Sequence, residues 1–233
     1  MELSKRLQAV ANLISNGLRV ADVGTDHGYI PIYLIKTGKS PNVIAMDVNK
    51  GPILRAKEHV EVYGLQKQID TRLSDGVRAL NKGEVECVVV AGMGGALTIK
   101  ILEEGESVFR YLKEFVLQPQ TEISRVRQFL TENNFRIVAE DMVFEDGKFY
   151  PMMRVVNGQS ENYDLAQLRF GKLLLEQKHS VLRLFLNKEA KKREQIISNL
   201  NTEAGAHIQI RKNEIMEELE LIKHALQKYY GTD

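Results

Sequence analysis

A glycine-rich loop between two apolar segments, followed one strand later by an acidic residue, constrains this chain more than any other feature. The loop lies in Ala21-Asp-Val-Gly-Thr-Asp-His-Gly-Tyr-Ile30, between a short apolar segment and an apolar pattern with helical spacing. The next apolar segment, Val43–Met46, leads directly to Asp47, 23 residues after Gly24. The order strand, glycine loop, helix, strand and acid predicts a Rossmann-type nucleotide pocket in which Asp47 accepts hydrogen bonds from a ribose.

The charge of this loop narrows the choice of ligand. A dinucleotide-binding loop has glycine where this chain has Asp26, because the backbone must approach a pyrophosphate closely. Asp26 and Asp22 would repel a dianionic pyrophosphate, whereas they suit a ligand that carries an ammonium and a sulfonium group. S-adenosylmethionine (SAM) has that charge pattern and NAD does not. A glycine-rich turn without a ligand is the alternative for the loop alone, and the position of Asp47 favours the cofactor.

Composition excludes several classes of protein. With 233 residues, 43% hydrophobic and 27% charged, the chain fits a globular protein with a substantial core. The net charge of +1 means that any nucleic-acid site must come from local clusters. Cys87 is the only cysteine, which excludes an internal disulfide, and no metal-ligand spacing is present, so we expect no metal. Without a signal-peptide pattern or an apolar segment of membrane-spanning length, we expect a cytoplasmic protein.

Strand and helix patterns alternate over residues 1–158, which predicts an α/β domain with a mostly parallel sheet. The final two strands have no helix between them, so one must run antiparallel, as in the Rossmann-like class I methyltransferase fold. After the first two strands, the pattern predicts strands over 69–73, 85–91 and 115–117, and a hairpin of 135–144 with 149–156. The helices are predicted over 3–16, after the loop, from Pro52 onward, after Gly95, and from a Thr121 cap to Asn133.

Residues 159–233 differ from the first part of the chain in composition and in the spacing of their apolar residues. This segment has no proline, and its glycines are at positions 171, 205 and 231 only. Helices are predicted over 163–178 and 179–201, and a third follows a break at 202–205. The third helix carries an apolar heptad seam formed by Ile208, Ile215, Leu219, Ile222, Leu226 and Tyr229. We therefore predict a C-terminal helical domain with an antiparallel coiled-coil hairpin over residues 159–233.

Two further loops follow strands at the same predicted sheet edge. Ser74-Asp75-Gly76 follows the third strand and would border an adenine ring, with Asp75 accepting a hydrogen bond from its amine; a turn with a helix cap is the alternative. Gly92-Met93-Gly94-Gly95 follows the fourth strand, where such enzymes hold the target base. This loop lacks the two prolines and the aromatic residue that grip an exocyclic amine. A ring nitrogen with an in-plane lone pair needs alignment more than a base. A plain strand-to-helix turn is again the alternative.

The remaining candidates each have a functional and a structural interpretation. His27 has no metal-ligand partner in the sequence, so packing or hydrogen bonding is favoured over catalysis. Tyr29 can stack on a base or belong to the core face of a helix. Lys188, Lys191, Lys192 and Arg193 form the strongest basic cluster. This cluster is either a phosphate contact or a solvated helix face partly neutralised by nearby glutamates.

Together these motifs resemble the bacterial tRNA (adenine-N1)-methyltransferase family that modifies position 22 of the tRNA D-loop, the TrmK family. The matching segments are residues 21–31, 91–95 and 117–120, together with the C-terminal helices. The resemblance implies a SAM-binding N-terminal domain, a tRNA substrate with adenine 22 as its target, and a helical C-terminal domain that helps to hold the tRNA. We expect a monomer or weak dimer, because the heptad seam can be satisfied within one chain.

The expected site residues fall into three groups. Cofactor contacts are expected from Asp22, Gly24, Thr25, Asp26, His27, Gly28, Tyr29, Asp47, Val48, Ser74, Asp75, Gly76, Gly92, Met93 and Gly94. A catalytic role is expected for Asp26, and tRNA contacts for Lys188, Lys191, Lys192 and Arg193. Two other functions stay open. A small-molecule methyltransferase would share the pocket but has little use for a long helical arm, and a non-catalytic coiled-coil module would not need Asp26 and Asp47 together.

Overall fold

A seven-stranded sheet organises the first part of the chain in the computed structural model, which describes residues 2–200 and 206–231. The strands are β1 (Val20–Val23), β2 (Val43–Asp47), β3 (Ile69–Leu73), β4 (Cys87–Met93), β5 (Glu114–Pro119), β6 (Phe135–Glu145) and β7 (Lys148–Asn157). Their order across the sheet is β3-β2-β1-β4-β5-β7-β6. The first five strands are parallel, and β7 runs antiparallel to both β5 and β6. The predicted mixed Rossmann-like sheet is confirmed.

Helices flank this sheet. They are α1 (Lys5–Leu13), α2 (Tyr29–Lys36), α3 (Lys50–Val62), α4 (Gly95–Glu104), α5 (Glu106–Phe109) and α6 (Ile123–Glu132). Every residue of β1 is buried, as are Cys87–Val90 of β4. Central parallel strands are covered on both faces, which explains their continuous apolar runs. The edge strand β3 (Ile69–Leu73) has only one buried residue, Ile69.

Two sequence-based assignments are wrong in detail. The predicted N-cap of α6, Thr121, instead accepts a hydrogen bond from the Gly95 N–H at 3.2 Å. Glu122, in a left-handed conformation with φ 49°, occupies the cap position. The single helix predicted over residues 163–178 is interrupted by Gly171, whose φ of 97° is accessible to glycine but strained for other residues.

The second part of the chain is helical. Contacts divide the chain into two compact units, Met1–Asn162 and Tyr163–Asp233, whereas the boundary at residue 158 stays a prediction. The helices of the C-terminal unit are α7 (Leu165–Phe170), α8 (Lys172–Glu176), α9 (Ser180–Leu200) and α10 (Ala206–Ala225), followed by a π-helical turn, Leu226–Tyr230. The predicted break at residues 202–205 lies outside the described residues. None of the described helices is long and apolar enough to cross a membrane.

Helices α9 and α10 pack antiparallel along their length. Arg193 of α9 pairs with Glu218 of α10 at 2.8 Å, and the Tyr230 hydroxyl donates to the His179 carbonyl at the start of α9 at 3.1 Å. Of the predicted seam residues, three are buried, namely Ile215, Leu219 and Ile222. The other three are partly exposed, namely Ile208, Leu226 and Tyr229. The helical character of this unit is therefore established, and the coiled-coil geometry stays a prediction.

A buried ion pair joins α6 to the sheet and provides a test of the fold. Arg127 pairs with Glu140 of β6 at 2.9 Å, and both side chains are almost fully buried. Arg127→Ala leaves a buried carboxylate without this partner, so we expect the free energy of unfolding in urea to fall by about 3–5 kcal/mol. Replacing both residues, by Arg127→Met and Glu140→Leu, should cost less than the single change. A single variant with wild-type stability would contradict this assignment.

Candidate active site

A pocket of about 290 Å³ lies at the carboxyl ends of the central strands. It is lined by Arg6, Leu7, Asp22, Gly24, Thr25, Asp26, Tyr29, Ile30, Ala91, Gly92 and Gln120. These residues come from α1, the end of β1, the β1–α2 loop, the start of α2, the end of β4 and the residue that follows β5. In open α/β sheets ligands bind at this edge, where the strand order reverses between β1 and β4. The topology therefore places the pocket where the sequence predicts it.

The β1–α2 loop is held by backbone hydrogen bonds to the neighbouring strand. The N–H groups of Gly24 and Thr25 both donate to the carbonyl of Met46, at 2.8 and 2.9 Å. Gly24 has φ 77°, and a Cβ built on it would lie 2.3 Å from Cε of Met93. A side chain at Gly24 would therefore be strained and would displace Met93. Gly28, with φ 72°, precedes the first residue of α2 and leaves the N-terminus of that helix without a side-chain cap.

Asp22 is the buried acid of the site. It is 4% exposed, and its burial raises the pKa of the carboxyl to about 6. The negative charge of Asp47 adds to this rise, and the neighbouring Thr25 side chain opposes it. A carboxylate kept in this environment is poorly solvated, so a cationic ligand would stabilise its charged form.

Asp26 is the exposed acid at the mouth of the pocket. Its backbone is left-handed, with φ 47°, and its side chain is 60% exposed. Oδ1 accepts a hydrogen bond from Arg55 of α3 at 2.6 Å, and Oδ2 lies 3.5 Å from Nε2 of His27. The Arg55 guanidinium thus holds the Asp26 carboxylate from the side of α3.

Three aromatic rings stack beside Asp26. The ring centroids of His27 and Tyr29 are 5.2 Å apart and nearly parallel, and His59 of α3 stacks on both at 5.5 and 5.7 Å. Nδ1 of His59 donates to the His27 carbonyl at 2.9 Å, which ties the loop to α3. Tyr29 remains exposed and also lines the pocket, so it is not a core residue of its helix.

Asp47 ends β2 and faces the start of the loop after β3. Its Oδ1 accepts a hydrogen bond from the Asn49 N–H at 2.8 Å, and its main-chain carbonyl accepts one from the Ser74 N–H at 2.9 Å. Within the described part of the chain, no hydrogen bond engages the second carboxylate oxygen, and the negative charge of Asp47 acts on Asp22. Val48, the next residue, is exposed. This arrangement leaves the Asp47 carboxylate able to accept a hydroxyl.

The loop after β3 is stabilised mainly by its own hydrogen bonds. Ser74 Oγ donates to the Gly76 carbonyl at 2.9 Å and accepts from the Ala79 N–H at 3.1 Å. Asp75 lies 3.4 Å from Arg78, and both side chains are substantially exposed. These contacts match the structural interpretation of Ser74, whereas Asp75 still presents a carboxylate at the sheet edge.

The loop after β4 is shaped by close backbone contact. A Cβ on Gly95 would lie 2.5 Å from the carbonyl oxygen of Thr121, so this glycine is required by packing. Gly94 occupies the N-cap position of α4, and Gly92 has φ 80° at the pocket wall. The structural interpretation therefore applies to Gly94 and Gly95, while Gly92 borders the cavity.

The pocket brings together only part of the predicted set. Asp22, Gly24, Thr25, Asp26, Tyr29 and Gly92 line it. His27, Gly28, Asp47, Val48, Ser74, Asp75, Gly76, Met93 and Gly94 lie around the same sheet edge but do not line this cavity. The predicted set lacks five residues that line the cavity, namely Arg6, Leu7, Ile30, Ala91 and Gln120. Ile30 and Ala91 adjoin the predicted residues Tyr29 and Gly92. The polar residues of Leu117-Gln-Pro-Gln120 at the end of an apolar strand were a usable signal for Gln120, but no local pattern marks Arg6 or Leu7.

The predicted basic cluster lies on α9 in the C-terminal unit. Arg193 is largely buried and bound to Glu189 and Glu218, so its charge is neutralised. Lys188, Lys191 and Lys192 are exposed.

Cavities of about 300 and 390 Å³ also occur in the C-terminal unit, so size does not single out the sheet-edge pocket. The sheet-edge pocket is distinguished by its acidic lining, its glycines and the nearby Asp47. These features fit the adenosyl and methionyl parts of SAM. No cluster of metal-ligating side chains is found within residues 2–200 and 206–231.

Comparison with known proteins gives matches over both units. Residues 3–153 match the family model described as a methyltransferase domain. The Bacillus subtilis (strain 168) tRNA (adenine(22)-N(1))-methyltransferase is 33% identical over 97% of this chain and 98% of its own. The structure of Streptococcus pneumoniae Sp1610 in complex with S-adenosyl-L-methionine aligns with 97% of this chain and 100% of that chain, at 34% identity and a TM-score of 0.86. The structure of M. capricolum TrmK with S-adenosyl-homocysteine (SAH) aligns with 95% and 100%, at 29% identity and a TM-score of 0.78.

The raised pKa of Asp22 predicts a pH-dependent stability. Because the folded-state pKa of about 6 exceeds the ordinary 3.8, the folded protein binds this proton more tightly than the unfolded chain does. Ionisation of Asp22 therefore costs stability as the pH rises from about 4 to 6, by up to about 3 kcal/mol, and the cost is constant above that range.

Asp22→Asn removes this cost, so urea unfolding of the ligand-free variant should show a gain in stability at pH 7.5 that is roughly halved at pH 5. Glu61→Gln, at an exposed position of α3, is the matched control and should show no such difference. If Asp22→Asn raises the free energy of unfolding equally at both pH values, the gain does not come from the titration of Asp22.

Proposed function

The chain belongs to the TrmK family of tRNA (adenine(22)-N(1))-methyltransferases, and on this premise we propose that it transfers a methyl group from SAM to N1 of adenine 22 in a bacterial tRNA. The observation that carries the proposal is the match over nearly the full length of both chains, which includes the C-terminal helices. A match confined to residues 3–153 would support methyl transfer but would not identify the substrate.

Different residues at the sheet edge contact different groups of the cofactor. SAM, when bound, supplies a methyl group made electrophilic by the adjoining sulfonium. Asp22 and Asp26 place negative charge beside the ammonium and sulfonium groups. Asp47 accepts hydrogen bonds from the ribose hydroxyls, and Asp75 accepts one from the adenine amine. The small residues of the loops leave room for the ligand, among them Gly24, Thr25, Gly28 and Gly92.

The methyl acceptor imposes few demands on the protein. N1 of adenine has an in-plane lone pair and carries no proton at neutral pH, so the reaction needs alignment and exclusion of water more than a strong base. Positive charge develops on the adenine ring as N1 is alkylated. The exposed carboxylate of Asp26, held by Arg55 at the pocket mouth, is suited to stabilise that charge. We therefore assign Asp26 a catalytic role in addition to a contact with the cofactor.

The C-terminal unit supplies the surface that distinguishes this family from a small-molecule methyltransferase. We propose that α9 and α10 form a coiled-coil arm that contacts the tRNA backbone through Lys188, Lys191 and Lys192. Arg193 is assigned instead to the internal ion-pair network, because its charge is satisfied by two glutamates. The same proposal places the protein in the cytoplasm, acting as a monomer or weak dimer.

The role of Asp26 is tested by comparing cofactor binding with turnover. Asp26→Ala should reduce methylation of total tRNA by about 100-fold or more while weakening SAM binding by a much smaller factor. Both quantities are measured on the full chain, by isothermal calorimetry and by transfer of labelled methyl groups. Glu61→Ala serves as the exposed acidic control. If saturating SAM restores the rate of Asp26→Ala, the residue binds the cofactor only, and a wild-type rate at ordinary SAM would reduce it to a turn residue.

The tRNA contact is tested through its dependence on salt. Lys191→Glu and Lys192→Glu should each weaken tRNA binding and reduce the slope of log affinity against log salt by about one, if each lysine neutralises one phosphate. Lys67→Glu, which makes the same charge change at an exposed position in the loop before β3, should leave the slope unchanged. SAM affinity should be unaffected in all three variants. An unchanged slope in the α9 variants would identify a solvated helix face.

A further inference from the structure

Arg6 brings a positive charge into a pocket whose other charged residues are acidic. It lies on α1 and lines the cavity together with Asp22 and Asp26. Among the described residues, its guanidinium has no carboxylate at ion-pair distance, and its contacts are the side-chain amide of Gln118 at 3.0 Å and the ring of Tyr150 at 5.6 Å. The carboxylate of nearby Glu145 accepts hydrogen bonds from the backbone of α1, and the charge of Arg6 acts on it without forming an ion pair.

Gln118 fixes the position of this guanidinium. It is fully buried in β5, and its amide oxygen accepts hydrogen bonds from both Arg6 and the Gly92 N–H, at 3.0 and 3.2 Å. Its amide nitrogen donates to the Pro119 carbonyl at 3.3 Å. Because these partners orient the amide with its oxygen towards Arg6, the amide holds the guanidinium at the pocket wall beside Gly92. A neutral partner of this kind positions a cation without neutralising it.

The pocket therefore offers both signs of charge. Two carboxylates suit a cation, and a guanidinium whose direct contacts are neutral groups suits an anion. The methionyl part of SAM carries an ammonium and a carboxylate on the same carbon. We propose that Arg6 binds the α-carboxylate of SAM and that Gln118 is the residue that positions Arg6 for this contact. The inference rests on the proposed function only in taking SAM as the cofactor.

A comparison of two ligands tests the proposal without an activity measurement. SAH has the α-carboxylate, whereas S-adenosyl-3-thiopropylamine is the same molecule without it. The full-length wild type should bind SAH about 10- to 100-fold more tightly than the decarboxylated analogue by calorimetry, the range expected for a charged hydrogen bond. If the wild type binds the two ligands equally, the proposal is wrong, and this outcome requires no variant.

Variants then assign the difference to a residue. Arg6→Gln should lose most of its affinity for SAH and bind the analogue as the wild type does, so that the ligand preference disappears. Arg6→Lys should retain part of the preference. Gln118→Leu should reduce the preference for SAH with little change for the analogue, a result that a general loss of packing would not produce. Equal losses on both ligands would overturn the proposal.

The competing anion is a phosphate of the tRNA. In that case Arg6→Gln would raise the KM for tRNA and leave the affinity for SAH unchanged, which also overturns the proposal. Failure of the proposed function has a different signature. The wild type would then bind SAH with the expected preference but transfer no methyl group to total tRNA.

Discussion

The pair of backbone hydrogen bonds from Gly24 and Thr25 to the Met46 carbonyl is the interaction on which the site depends. These bonds fix the first two residues of the loop against the end of β2, and the chain then turns to begin α2. The crossing requires positive φ at Gly24, Asp26 and Gly28, and it requires that Gly24 have no side chain against Met93. As a consequence, Asp22 stays buried at the end of β1 while Asp26 projects from the loop at the mouth of the pocket. One backbone geometry thus gives two nearby carboxylates different environments.

The features predicted correctly from the sequence are those that depend on local pattern. Burial on both faces produces continuous apolar strands, so β1, β2 and β4 were recognisable, and Ile69–Leu73 has the predicted bounds. The antiparallel pairing of β7 followed from the absence of a helix between the last two strands. The glycine loop and Asp47 identified the nucleotide edge because each element of that motif has its own physical requirement. The individual contacts of the site residues with ligand remain predictions.

The features that were missed depend on tertiary contacts. Thr121 has the chemistry of a helix cap, but its hydroxyl is used by the Gly95 N–H, because the β4–α4 turn packs against it. Gly171 interrupts a pattern whose apolar spacing is helical on both sides. Arg193 belongs to the densest basic cluster in the sequence, yet its two glutamate partners lie four residues earlier and on another helix. Arg6 lies on α1, outside the loops that follow the strands, and reaches the pocket only through tertiary packing, so no local pattern connects it with the other pocket residues.

The distribution of charge at the sheet edge is unfavourable in the ligand-free protein and favours a cationic ligand. Burial of Asp22 close to Asp47 is unfavourable without a ligand, since both carboxylates repel each other and Asp22 is shielded from water. Exposed Asp26 avoids this cost through Arg55 and solvent. A cationic ligand reverses the balance at Asp22, because its charge stabilises the ionised carboxylate in a region of low polarity. The unfavourable energy of the free site is therefore recovered as affinity and selectivity for a ligand that carries positive charge, and an anionic nucleotide of the same shape would recover none of it.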